Sequence, residues 1–524
     1  MHTVNSEKSK IVVNAAANWL GFAVQIGITL YLTPILFGGL GRERYGIFTV
    51  VDSILTYLML FDFGVGASVV RYVSKFEADA DQERLNRVFS TSLFIFAVAG
   101  LAVFAVAGNI AWWATPFFNI PPEQLDQTRW LLVLLGLNLG LGFPLGVFAC
   151  LLEGLRRFPA KIAIRTSLLI IRSIALVIVM RQGGGLIQVG AVITICSILE
   201  YIGMGCAVRS YRPGLRFSPA LIDKETFHTI RGYGIHAFLI MVAGRICFQT
   251  DALVIFPALG AAAVAVFAIA ARLVEYSKDS LRVITSVLTP AVSVLEARGD
   301  FATIRGLLIK STRYVLFLIL PVQIGLFVLG KPFIAVWMHD LELADQCYPI
   351  LLILAAPLSL TISQSVSTRI LYGTSRLRWF ARFSLVEAVA NLILSVILVQ
   401  YCDLVGVALG TMIPNILMNL GLLVYICRGL HVPIADYLRR SFVPPFPPAL
   451  LLAGYWIAAA WIWNLATWPG ILIAGATGLL AYLLLAIQVE FGLRSFARQV
   501  RPFMRRGRHR QPANFPEESA IARA

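Results

Sequence analysis

Arg272, Glu275, Asp279 and Arg282 lie in the stretch "ARLVEYSKDSLR", where ionisable side chains interrupt an otherwise apolar run. At 100° per residue on a helix, the four fall within a stripe roughly 80° wide. A stripe of that kind must face water. Two more arginines stand alone among apolar residues: Arg245 near the middle of "YGIHAFLIMVAGRICFQTDALVIF" and Arg172 in "AIRTSLLIIRSIALVIVM". A charge at the bilayer centre costs at least ~2.5 to 3.5 kcal/mol, so such residues face a cavity or a partner. Guanidinium keeps its proton and can grip anionic oxygens through two parallel hydrogen bonds. Arg245, Arg272, Arg172 and Arg282 are therefore predicted contacts for an anionic ligand. The competing reading neutralises each locally: Arg272 with Glu275, Arg282 with Asp279, Arg245 with Asp251. Asp251 is offset by ~120° from Arg245 on one helix, which makes that pair a poor one. Lys278 points off the stripe and is read as snorkelling.

The acids within apolar stretches suggest a second chemistry. Asp52, Asp251 and Glu275 are candidates for coupling to a cation, as are, nearer the cytoplasm, Glu200 and Glu387. Glu387 and Asn391 share a helical face, a pattern suited to oxygen ligation of sodium. The plainer alternative is that these acids pair with arginines. Asp62, in "LFDFGVGASVVRYV", is expected to cap a helix. "ADAD" contains a DxD lookalike, Asp79 and Asp81, in a charge-rich loop that reads as solvated. No GxxxxGK[ST] phosphate loop is present, and "LGKPF" lacks its spacing. The 7 Cys and 6 His are scattered without metal-ligand spacing, so neither a metal nor a cofactor is predicted.

The elements that must position these groups follow from composition. The chain has 524 residues, 58% of them hydrophobic and 14% charged. A span needs ~20 apolar residues, and backbone polar groups in lipid must be satisfied internally, so the long apolar runs read as helices. The expected fold is an all-α polytopic membrane protein. About fourteen transmembrane spans are expected, centred near Gly21, Leu55, Gly100, Leu139, Ile171, Ile198, Arg245, Val274, Val322, Leu358, Leu392, Asn415, Trp456 and Ala481. On this count 34 of the 44 Lys and Arg fall on one side, with Arg42, Arg44, Arg129, Arg181 and Lys331 on the other. Such a bias places both termini in the cytoplasm. The net charge of +16 thus reports topology rather than nucleic-acid binding. The tail "RSFARQVRPFMRRGRHR" is suited to anionic lipid headgroups. Trp456, Trp461, Trp463 and Trp468 read as an interfacial belt.

The chain also repeats itself. "SKFEADAD" (74–81) returns as "SVLEARGD" (293–300), 219 residues on. At the same offset "LGRERYGIFTVV" meets "LGAAAVAVFAIA", and "LLEGLRR" meets "ILYGTSR". Glycine and polar matches at one constant offset predict two parallel six-helix units, followed by two helices outside the repeat. Parallel repeats are a transporter design with ligand held between the halves. The expected boundaries are 1–210 and 231–430 for the bundles, 211–230 for a cytoplasmic linker, 431–495 for the two additional helices and 496–524 for the basic tail. The offset carries Arg245 to Ile26, Arg272 to Ser53 and Arg172 to Asn391, so these cations are not devices of the duplicated fold.

With "LGxxxYG", "DFGxGxxxxRY", "QTDALVIFPALG" and "TPAVSVLEARGD" in view, the chain resembles Wzx-type polysaccharide flippases. These belong to the multidrug, oligosaccharidyl-lipid and polysaccharide exporter superfamily. The resemblance implies a V-shaped pair of bundles with alternating access. It also implies an undecaprenyl-diphosphate-linked oligosaccharide as cargo, moved across the bacterial inner membrane, with the arginines as diphosphate or acidic-sugar contacts. Implied partners are a proton or sodium gradient and a polysaccharide polymerase. The alternatives are a cation-coupled drug antiporter of the same superfamily and, less readily, a membrane glycosyltransferase or polymerase. No outer loop is long enough for a catalytic domain, so an enzyme is not expected.

Overall fold

The structure, a computed structural model, describes residues 2–114, 120–230, 250–374 and 377–491. Every regular element among these residues is helical. In chain order they are α1 (His2–Leu58), α2 (Val65–Ala78), α3 (Gln82–Asn109), α4 (Pro122–Gly154), α5 (Phe158–Arg181) and α6 (Leu186–Tyr211). After the linker come α7 (Thr250–Leu259), α8 (Ala261–Thr285), α9 (Leu288–Ala297), α10 (Phe301–Val328), α11 (Gly330–Met338) and α12 (Leu341–Ala355). Then follow α13 (Leu358–Gly373), α14 (Leu377–Gly429), α15 (Ile434–Ser441), α16 (Phe446–Ile462) and α17 (Trp468–Phe491).

Nine described helical segments are long and apolar enough to cross a membrane, or ten if the bent pair α15–α16 is one span. The difference from the expected fourteen has identifiable causes. Two segments, of 40 and 51 residues, are far longer than one crossing needs. In α1 the break is Gly41 at φ 79°, and Tyr45 packs its ring on Phe37 at 5.5 Å, a contact eight residues of straight helix would not permit. In α14 the break is at Cys402 and Asp403, and Asn391 on one arm meets Thr411 on the other at 3.0 Å. Residues 231–249, with the expected span around Arg245, lie outside the described part. The 25-residue α8 carries its ionisable stripe and so fails any test of uniform apolarity.

The repeat in the sequence is a repeat in geometry. Ser74 Oγ donates to the Gly154 carbonyl at 2.9 Å, and Ser293 Oγ donates to the Gly373 carbonyl at 3.1 Å. A Cβ on Gly154 would stand 2.5 Å from Val73 Cγ1, and one on Gly373 would stand 2.7 Å from Val292 Cγ1. Asp81 accepts from the Arg84 amide at 3.0 Å to cap α3, and Asp300 caps α10 through the Thr303 amide at the same 3.0 Å. Gly41 and Gly260 are likewise both left-handed, at φ 79° and 83°. The DxD lookalike is thus half helix cap, and Asp62 caps α2 by accepting from the Gly66 amide at 3.0 Å.

The last two helices dock on α10. Tyr482 donates to the Phe317 carbonyl at 2.7 Å, and Arg313 pairs with Glu490 at 2.7 Å. Trp456 corrects one expectation. It is 2% exposed and donates to the Ala474 carbonyl at 2.8 Å, so it fills the core between α16, α17 and α10 instead of anchoring at the interface. Trp461 and Trp468 are exposed, as an interfacial belt requires.

Candidate functional site

The α8 stripe is partly neutralised. Arg282 pairs with Asp279 at 3.1 Å, as the local alternative expects, and of the described candidate cations it alone has such a partner. Glu275 pairs with Lys278 at 2.9 Å and not with Arg272. Lys278 is therefore no snorkelling residue: it turns inward and sits in a cavity wall. Arg272 is exposed, within electrostatic reach of Tyr45, Asp52, Tyr276 and Glu275. These groups belong to α1 and α8, which pack together between the two halves of the chain. The Tyr276 hydroxyl, beside them, has Thr29 of α1 as its neighbour.

Behind α8 lies a cavity of about 70 Å³ lined by Asp251, Glu275, Lys278, Glu387, Asn391, Thr411 and Asn415. Four of the five predicted ion-coupling residues, Asp251, Glu275, Glu387 and Asn391, meet here, and Asp52 does not line it. Two hydrogen-bond chains cross it. Asn391 donates to Thr411 Oγ1 at 3.0 Å, and Thr411 donates to Asp251 at 3.1 Å. Thr361 donates to Asn415 at 2.7 Å, and Asn415 donates to Glu387 at 2.7 Å. The Asn391 amide oxygen is buried with no partner among the described residues. Three carboxylates face one ammonium, so the cavity suits a small cation or a proton, held by hard oxygen donors.

A second cavity, of about 320 Å³, lies among α1, α5 and α6. Its walls include Gln25, Arg165, Arg172, Cys196, Ser197, Glu200 and Tyr201. Arg172 is the cation predicted from its central position. Arg165 escapes the sequence analysis because it reads as part of a basic loop, whereas α5 begins at Phe158 and already carries it inside. Helical arithmetic finds it: Arg165 and Arg172 are seven residues apart and so share a face. The fourth predicted cation, Arg245, lies outside the described residues.

At one end the halves touch through polar contacts. Arg42, at the α1 turn, pairs with Asp340 at 2.9 Å and with Glu342 at 3.4 Å. The Trp337 indole donates to the Leu30 carbonyl at 2.7 Å. The Leu343 amide, and after it Arg42, hold the Asp340 carboxyl below its ordinary range.

A family profile described as polysaccharide biosynthesis protein matches residues 40–340, more than half of the chain. The chain belongs to that family. Among relatives, the membrane protein EpsK of Bacillus subtilis (strain 168), itself uncharacterized, is 21% identical over 92% of this chain and 95% of its own. A Vibrio cholerae protein described as "Probable lipid II flippase MurJ" is 27% identical over 241 residues, 43% of this chain and 44% of its own length. Among solved structures, lipid II flippase MurJ in an inward closed conformation superposes with TM-score 0.72 at 16% identity, covering 93% of this chain and 99% of that one. At that identity the likeness establishes the fold, a polytopic helical transporter fold. Within this helical fold lie the two polar cavities and the exposed Arg272.

Proposed function

We propose that this chain is a flippase. It carries an undecaprenyl-diphosphate-linked oligosaccharide, a polysaccharide precursor, from the cytoplasmic to the outer leaflet of the bacterial inner membrane by alternating access. The observation that carries the reading is a transporter fold shared with a lipid II flippase over 93% of the chain, with unpaired arginines lining its polar interior. A diphosphate needs fixed positive charge in a low dielectric, and in this reading Arg272, Arg172 and Arg245 supply it, with Arg282 contributing only as its pair with Asp279 opens.

The acid–amide cavity is the coupling site in this reading. Sodium or a proton entering it offsets the carboxylate excess of Asp251, Glu275 and Glu387, with Asn391 as an oxygen ligand and Asp52 acting from α1, outside the cavity. Occupancy favours one arrangement of α7, α8 and α14 only if it binds that arrangement more tightly. The bundles are assigned to 1–210 and 231–430, with 211–230 as the cytoplasmic linker, 431–495 as the added helices and 496–524 as a basic tail against anionic lipid. The charge bias supports both termini in the cytoplasm. Nothing in this scheme requires bond-making chemistry by the chain, so it is a transporter and not an enzyme; a polysaccharide polymerase is the consumer of its product.

The test is a deletion strain whose lipid-linked sugars are extracted after labelling from outside. Unmoved glycolipid accumulating on the cytoplasmic face is the expected outcome. Normal sidedness combined with altered drug sensitivity supports the drug-antiporter alternative and overturns this reading.

A further inference from the structure

The two polar cavities are the same place in the duplicated fold. The 219-residue offset carries Arg165 to Ser384, Leu168 to Glu387, Arg172 to Asn391, Cys196 to Asn415 and Glu200 to Asn419. Leu168, Arg172 and Cys196 line the 320 Å³ cavity, and their counterparts Glu387, Asn391 and Asn415 line the 70 Å³ one. The helix pair α5–α6 in the first half thus plays the part of the α14 hairpin in the second. Polarity is inverted between the copies. The second-half cavity has three carboxylates and one ammonium in its wall. The first-half cavity has two guanidiniums and one carboxylate.

We propose that the first-half cavity is an anion site for a phosphate group, held by Arg165 and Arg172. Among the described residues neither guanidinium has a carboxylate within 4 Å or a hydrogen bond. Arg42, Arg282 and Arg313, by contrast, are each paired. Glu200, on the facing α6, lies within electrostatic reach of both and balances only one of the two charges, and Arg165 is itself exposed. A water-filled void alone does not call for the remaining positive charge on one helical face of a span. Two turns of α5 separate their Cα atoms by about 10.5 Å. Long flexible side chains on that spacing can close on the oxygens of one phosphate or on both halves of a diphosphate. Gln25, Ser197 and Tyr201 add neutral donors, and Glu200 can accept from a hydroxyl or water beside the bound group. A volume of about 320 Å³ fits a headgroup and not a whole glycolipid.

A phosphate can come from the head of a lipid or from free solution. Identifying it with the cargo's own diphosphate rests on the flippase reading; the site itself does not.

The experiment uses the full chain in phosphatidylcholine nanodiscs, titrated calorimetrically with inorganic pyrophosphate and, separately, with a short-chain prenyl phosphate. Arg165→Gln and Arg172→Gln are each expected to weaken binding about tenfold or more, since a charge-assisted hydrogen bond is lost. Arg172→Lys keeps the charge but loses the fork, and is expected to fall between. Arg216→Gln, on the exposed linker, is expected to bind as the unaltered chain does. Losses with both probes support a general phosphate site, and losses with the prenyl phosphate alone support a lipid-headgroup site. Unchanged affinity in monodisperse Arg165→Gln and Arg172→Gln protein, or no saturable binding of either probe to the unaltered chain, overturns the proposal. The two readings fail separately: normal glycolipid sidedness in a deletion strain sinks the flippase, while the titrations alone decide the site.

Discussion

Thr411 is the joint of the acid–amide cavity. It accepts from Asn391 and donates to Asp251, so one hydroxyl links α7 to both arms of α14. Thr411→Val keeps the shape and removes both bonds. It leaves Asp251 with one fewer donor, at a cost of about 1 to 3 kcal/mol. The expected outcome is a cation affinity weaker by roughly tenfold, read as loss of sodium-dependent thermal stabilisation of the purified protein. An unchanged sodium response would remove Thr411 from the site. Arg272 offers a second residue-scale test. Arg272→Ala is expected to abolish glycolipid crossing while the protein still inserts and folds, because the side chain is exposed and the substitution opens no cavity in packed core. Crossing at normal rates would strike it from the cargo path.

At the scale of elements, the duplicated joints make paired predictions. The close approach of α4 to α2 at Gly154 and of α13 to α9 at Gly373 leaves no room for a methyl group. Gly154→Ala and Gly373→Ala should each destabilise by about 1 to 3 kcal/mol, seen as lowered unfolding temperature in detergent. The caps at Asp81 and Asp300 are matched to the same 3.0 Å, so removing either should lower the unfolding temperature by a similar amount. Unequal losses would show that the copies have drifted apart energetically while keeping one geometry. Much of this element-scale organisation is legible in the sequence. Helix character, the repeat and its joints follow from hydropathy and constant spacing, because both are local properties of the chain. The bent hairpins are legible there only as pairs of spans. Each break itself depends on backbone angles at Gly41 or at Cys402 and Asp403, which hydropathy does not record.

For the whole molecule, the question is what holds the halves in the present arrangement. Arg42 with Asp340 and Glu342, and Trp337 with the Leu30 carbonyl, bridge residues some 300 positions apart. The ion pair is about one-third exposed, so it contributes no more than ~1 kcal/mol and biases an equilibrium without locking it. Asp340→Asn is expected to raise the population open at that end, measured by spin-label distances between the α1 turn and α12. Arg42→Asp combined with Asp340→Arg should restore the original distribution. The pH dependence has a definite sign. The Leu343 amide lowers the Asp340 carboxyl in either state and Arg42 lowers it further only in the joined one, so the contribution of the Arg42 contact is full above the ordinary aspartate range and is lost as pH falls through the lowered value. Opening that increases instead between about pH 6 and 8 would point to a different titrating group.

The order of apolar runs, the charge bias and the 219-residue echo sufficed to determine a duplicated helical transporter and the helical faces on which its charges sit. Those signals survive in one dimension because helical periodicity and span length act over a few turns. Which charge meets which did not survive there. Glu275 chose Lys278 over Arg272, Trp456 went to the core, and Asp251 met Asn391 through Thr411. Each of these outcomes depends on ångström-scale distances set by side-chain packing between helices, many of them remote in the chain, and only the packed structure fixes such distances.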